Sequence, residues 1–109
     1  EHAIWELYPD NFYAWRKAMM VAQDEEHAGF GNEDSIVKLT NTIHGMDGAK
    51  AKALVAKKTD AYTKSIDADR QEGSSFGING TPGFITGTKL IAGAAAPEEF
   101  KAAIDAQLK

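Results

Sequence analysis

The most reactive side chain in protein chemistry is missing from this sequence, which contains no cysteine. For these residues that excludes a disulfide framework, a thiolate metal site and cysteine-based catalysis. The three histidines, His2, His27 and His44, lie far apart. None has a partner four residues away that would put two imidazoles on one helical face as zinc ligands, so no metal site is expected. The 16 acidic residues are spread along the chain. No spacing singles out two carboxylates for general acid and base roles, and Asp24-Glu25-Glu26 reads as a solvated acidic face. Gly77 and Gly80 do not form a dinucleotide fingerprint, because their spacing is wrong and the strand follows them rather than preceding them. Asn79-Gly80-Thr81 matches the N-glycosylation acceptor pattern, although turn residues ahead of a strand account for it. The segment with most chemical interest is Gly80-Thr81-Pro82-Gly83, whose Pro-Gly step marks a turn in any sequence.

The elements that must position this segment follow from period and punctuation. Ile4, Tyr8, Phe12, Trp15 and Met19 recur at steps of three and four, which places them on one helical face. Pro9 interrupts that face, so a continuous helix should start near Pro9 or be kinked there. Gln23 to Asn32 is polar with two glycines and reads as a loop. Asn32 or Asp34 can cap a short helix marked by Ile36, Leu39 and Ile43 and stopped at His44-Gly45. Asp47 offers a second cap for Ala49 to Lys58, and Thr59 or Asp60 starts the longest helical stretch. Along that stretch Tyr62, Ile66, Asp69, Gly73 and Phe76 form a stripe with a polar middle, implying partial exposure or close packing at Gly73.

At Gly77 the period switches from helical to extended. Phe84-Ile85 and Lys89-Leu90-Ile91 flank Thr86-Gly87-Thr88, which suits a tight hairpin with glycine at positive φ. Pro97 then takes the first-turn position of a final helix, followed by Glu98 and Glu99 at its positive end and a Phe100, Ile104, Leu108 face.

Length and composition set the bounds. The chain has 109 residues, one domain at most, and its 43% hydrophobic and 26% charged residues sit near the averages of soluble globular proteins. A net charge of -4 with scattered basic residues, densest at Lys57-Lys58, argues against a nucleic-acid face. No apolar run approaches the ~20 residues that span a bilayer. No signal peptide is visible at Glu1-His2-Ala3-Ile4-Trp5.

Gly77-Ile78-Asn79-Gly80-Thr81-Pro82-Gly83-Phe84-Ile85, then Gly87, Lys89-Leu90-Ile91-Ala92-Gly93-Ala94, Pro97-Glu98-Glu99-Phe100 and Ile104-Asp105, resembles the C-terminal segment of DsbA-like thioredoxin-fold oxidoreductases. In that family a helix ends at a Gly-(Ile/Val)-x-Gly-(Thr/Val)-Pro loop, and a hairpin and closing helix follow. The upstream helices, with Trp5-Glu6, resemble the family's helical insertion. The resemblance implies an α+β, predominantly helical fold, a truncated thioredoxin-like architecture lacking the N-terminal βαβ. Residues 1–76 would be the helical insertion and 77–109 the C-terminal thioredoxin segment. It also implies that Pro82 is cis and faces a reactive disulfide, an isomer that local sequence does not foretell. The N–H and C=O of Thr81 would then point outward to pair with an extended substrate. The Thr81 hydroxyl would bias the pKa of an attacking thiolate, and Gly80 would complete the substrate-binding loop.

The family's first strand, Cys-x-x-Cys motif and central strands precede the insertion and are not among these residues. Thiol exchange needs a thiolate, so the resemblance implies no catalytic residue and no cofactor in this chain. A lone hairpin is marginal in water. Its apolar face should be covered by the closing helix, a second copy, or a missing N-terminal half. The Lys109 end and the absence of an initiating methionine fit a fragment.

The resulting expectation is part of a thiol-disulfide oxidoreductase of the bacterial periplasm or cell envelope, acting on protein or peptide thiols and disulfides. It would have no nucleic-acid partner and no membrane span. The alternatives are a non-catalytic thioredoxin-like binding module, using the hairpin or the aromatic helical face, and a fragment of a kappa-type glutathione transferase or isomerase.

Overall fold

A computed structural model describes residues 1–25 and 28–109; the readings of Glu26 as part of an acidic face and of His27 as a histidine without a ligand partner lie outside the described residues. Pro9 decides where the first helix ends. The residue before a proline is driven out of the α region, and Tyr8 sits at φ -139° and ψ 57°. Helix α1 (His2–Leu7) therefore stops ahead of it, a single 3-10 turn (Pro9–Asn11) follows, and α2 (Phe12–Val21) begins. The expected interruption at Pro9 is a full break between two helices. The apolar stripe survives it, because Ile4 and Trp15 are buried in one core with Met46 and Ala51. Leu7, Tyr8, Phe12, Met19, Ile36 and Ile43 pack against that core.

Helix α3 (Glu33–Asn41) is capped by Asn32, whose side-chain oxygen accepts from Ser35 N–H at 2.8 Å. Ser35 Oγ in turn donates to Asn32 O and accepts from Gly31 N–H, so three groups at the helix start are satisfied by two side chains. Of the two expected caps, Asn32 takes the role. Asp47 caps α4 (Gly48–Ser75) by accepting from Lys50 N–H at 3.2 Å.

The expected new helix beyond Lys58 forms: α4 is two helical stretches that meet at a kink, where Lys58 is non-helical at φ -112°, ψ 16°. Thr59 does not cap, because its hydroxyl donates back to Val55 O at 2.7 Å. The stripe beyond it is exposed, with Ile66 53% and Phe76 58% accessible. Of the two readings of its polar middle, close packing at Gly73 does not hold, since nothing lies within 4 Å of where a Cβ would be.

Residues Glu1–Thr63 and Lys64–Lys109 form two compact units. The second holds the C-terminal end of α4, an antiparallel hairpin of β1 (Gly83–Thr86) and β2 (Lys89–Ala92), and α5 (Pro97–Gln107). The hairpin turn is Gly87-Thr88, with Gly87 at φ +62° as expected. Phe84 pairs with Ile91 and Ile85 with Leu90, so Phe84 and Ile91 share one face and Ile85 and Leu90 the other. Helix α5 packs on β1. Phe100 meets Phe84 edge to face at 4.9 Å, and Ile91 is 1% exposed. The buried face of α5 differs from the expected Phe100, Ile104, Leu108 row: Ala103 is buried, while Ile104 and Leu108 are exposed. Residues 100 and 103 share the hairpin-facing side of the helix. The closing helix thus buries Ile91 while Phe84 beside it stays partly accessible, and Ile85 and Leu90 are exposed on the other face.

Candidate functional site

The loop from Gly77 to Pro82 is built by the way α4 ends. Gly77 adopts φ +85°, which a Cβ would disfavour. That conformation lets Gly77 N–H bond Ser74 O at 3.0 Å and Ile78 N–H bond Gly73 O at 3.1 Å, the paired bonds of a Schellman helix end. The chain then turns so that Ile78 lies over Gly83. A Cβ on Gly83 would come within 2.7 Å of Ile78 Cγ2, so the fold requires glycine there for close approach. Pro82 is held from the other side: its carbonyl accepts from Gly93 N–H at 2.8 Å, extending the strand pairing by one step.

Gly80, Thr81 and Pro82 are consecutive and exposed at the head of this hairpin, and the Thr81–Pro82 peptide bond is cis. Among the described residues, neither the N–H nor the C=O of Thr81 has a hydrogen-bond partner. One unpaired donor and one unpaired acceptor at a strand entrance can take an extended segment as an added strand. Ile78 fills the Ile/Val position of the loop motif, while Gly93 was not singled out as part of this loop in the sequence. Extending the register set by Thr86↔Lys89 to its next outer pair leads to Pro82 and Gly93, so Gly93 was within reach of pattern reasoning. The contact of Ile78 with Gly83 carried no such signal.

Two features of the helical unit compete for attention. One is a half-open cavity of about 370 Å³, lined by Ile4, Trp15, Thr40, Ala51 and Val55 among others, with Glu33 and Lys52 paired at 3.3 Å on its rim. Its floor holds a buried bond from Trp15 Nε1–H to Thr40 Oγ1 at 2.9 Å. The other is Glu6, which accepts from Lys58 Nζ at 2.6 Å and from the Tyr62 hydroxyl at 3.0 Å, with the His2 ring 5.1 Å from that of Tyr62. These hydrogen bonds, from Lys58 first and then Tyr62, hold the Glu6 carboxyl below its ordinary value. The bond to Glu6 raises Lys58. Partial burial, then the bond to Glu6, raises Tyr62. The group is exposed and ties α1 to the kinked turn of α4, and it has the form of a structural clasp. Among the described residues, no three His, Cys, Asp or Glu side chains gather as a metal would require, and no helix is long and apolar enough to cross a membrane.

A helix closing on a hairpin, with a Thr-Pro loop at the hairpin's entrance, fits the C-terminal segment expected of the resemblance. The family model described as DSBA-like thioredoxin domain matches residues 12–105, most of the chain. The protein belongs to that family. No curated protein and no solved structure matches it. The family points to thiol-disulfide oxidoreductases, while these 109 residues hold no cysteine.

Proposed function

We propose that this chain is the substrate-holding part of a thiol-disulfide oxidoreductase, with residues 1–76 as its helical insertion and 77–109 as its C-terminal thioredoxin segment. The first strand, the Cys-x-x-Cys helix and the central strands would belong to a segment outside these residues. The observation that carries the reading is Thr81, whose exposed and unpaired peptide groups head a hairpin in a chain of this family. A protein or peptide bearing a thiol or disulfide would bond there as an added strand, next to the reacting sulfur. Pro82 offers an apolar surface with no N–H, and Gly80 leaves room for the approach. The Thr81 hydroxyl favours a neighbouring thiolate by hydrogen bonding to it. The chain takes no cofactor. Without a thiolate, the 109 residues do not exchange disulfides by themselves.

The partner that covers Ile85 and Leu90 is the N-terminal half or a second copy, and the location is the periplasm or cell envelope. Titrating isotope-labelled chain with an extended cysteine-containing peptide should shift the amide signals of Gly80 and Thr81. Shifts confined to residues of the helical unit would overturn the assignment of the loop. The reading frame ahead of Glu1 should encode Cys-x-x-Cys. A frame without one would favour a second reading, a non-catalytic thioredoxin-like binding module, which the absence of cysteine supports.

A further inference from the structure

We propose that Asn79 is a self-modification site, where the chain deamidates through the backbone nitrogen of Gly80 and so alters the loop that leads into Thr81 and Pro82. Base removes the Gly80 N–H proton, and the nitrogen attacks Cγ of Asn79. A C–N bond forms in a five-membered imide, the bond to the side-chain nitrogen breaks, and ammonia leaves. Water then opens either carbonyl of the ring, giving aspartate or the backbone-rearranged isoaspartate. No electron is gained or lost, and hydroxide and water are the only co-reactants.

The reaction needs three things, and the loop supplies each of them. The following residue must not crowd the ring, and glycine has no Cβ. The attacking nitrogen must be free, and among the described residues Gly80 N–H makes no hydrogen bond. The amide must be free and wet, and Asn79 is exposed with no side-chain partner among the described residues. Nothing lies within 4 Å of where a Gly80 Cβ would be, so the turn has room to rearrange.

The rest of the chain supplies its own controls. Asp47-Gly48 could form the same imide by loss of water, but its groups are occupied. Gly48 N–H donates to Asn41 Oδ1 at 2.8 Å, and Asp47 Oδ1 accepts from Lys50 N–H. Asn11, Asn32 and Asn41 are followed by Phe12, Glu33 and Thr42, all bearing Cβ atoms. The Asn32 and Asn41 oxygens are also engaged.

The product adds a negative charge to a chain already at -4. Its isoaspartyl form also lengthens the main chain by one atom just ahead of Thr81. That this weakens substrate binding rests on the function proposed above; the modification itself does not.

The test is peptide mapping of the folded chain after incubation in mildly alkaline buffer, beside the same chain in denaturant. The tryptic peptide 71–89, cut after Arg70 and Lys89, should gain the mass of amide-to-acid exchange and split into two chromatographic forms. It should do so at similar rates in both samples. Isoaspartate at Asp47 should form in denaturant alone. Gly80→Ala meets no atom in the fold and should slow the reaction roughly threefold or more, the rate equivalent of the freedom a Cβ removes. Asn79 that stays intact in the folded chain while reacting in denaturant would overturn the proposal, as would equal reaction at Asn32 or Asn41. Neither outcome depends on any redox activity.

Discussion

Thr40→Val tests the packing of the helical unit at its most concentrated point. Thr40 is 1% exposed and Trp15 4%. The Thr40 hydroxyl accepts from Trp15 Nε1–H at 2.9 Å and donates to Ile36 O at 2.7 Å. Valine keeps the shape and removes both bonds. The Ile36 carbonyl keeps its place in the helical ladder, so the main loss falls on the indole N–H, left buried without an acceptor. Such a group costs about 1–3 kcal/mol. With a urea slope of about 1–3 kcal/mol per molar, a mid-range cost of about 2 kcal/mol lowers the unfolding midpoint by about 1 M. Urea unfolding followed by far-ultraviolet circular dichroism reads this in every variant, because the helical signal does not depend on Trp15. In a Trp15→Phe background no N–H is left to strand, and Thr40→Val should cost less than about 0.5 kcal/mol. A midpoint shift of the same size in both backgrounds would refute the argument, as would a stable single variant.

Glu6→Gln removes a carboxylate that Lys58 and Tyr62 hold below its ordinary value of 4.5. A group whose folded pKa is depressed adds stability above that ordinary value and loses it as pH falls through the lower one. The variant's stability should therefore fall less steeply below pH 4.5, and parallel acid limbs in urea midpoints against pH would contradict the clasp. Lys58, raised from its ordinary 10.5, contributes below that value and loses its contribution above it, an effect the same substitution should remove at the alkaline end. Gly83→Ala forces a Cβ against Ile78 and should cost about 1–3 kcal/mol. Adding Ile78→Ala should recover part of that, and strictly additive losses would show that the two do not meet. Phe100→Leu keeps the bulk against β1 but loses the edge-to-face contact with Phe84, worth about 0.5–1.5 kcal/mol. An unchanged unfolding midpoint would show that this contact does not hold the hairpin.

What the sequence made legible was whatever local chemistry decides. The Gly77 helix stop, the Gly87-Thr88 turn, the Asn32 and Asp47 caps and Pro97 at a helix start each depend on a few neighbouring residues, and each forms as read. The break in α4 at Lys58 was legible, but the role of Thr59 in it was misread. Thr59 looks like a cap, and whether its hydroxyl turns to a following N–H or to the preceding Val55 carbonyl is settled by the path of the chain. The buried face of α5 was misread for a related reason. Period identifies a row of large apolar residues, but where a helix lies close to a hairpin the small Ala103 takes the buried position and Ile104 is left at the edge. At the candidate site the Gly80-Thr81-Pro82 loop was legible as a motif. The bond from Gly93 to Pro82 was latent in the hairpin register, and Ile78 over Gly83 is a tertiary contact with no sequence signature.

That bond from Gly93 also determines which peptide groups are left open to a partner. Strand pairing that began at Thr86 and Lys89 runs outward to Pro82, where the carbonyl is taken by Gly93. Proline has no N–H to offer, so pairing cannot continue through its nitrogen. Thr81 is the next residue out, and both of its peptide groups are unpaired among the described residues. An unpaired strand end invites indiscriminate pairing unless it is short or interrupted. Here the open stretch is short, bounded by Pro82 on one side and by the turn from Gly77 on the other. Under the proposed function, so short a stretch would orient an extended chain without holding it strongly. A substrate that must arrive and leave would need no more.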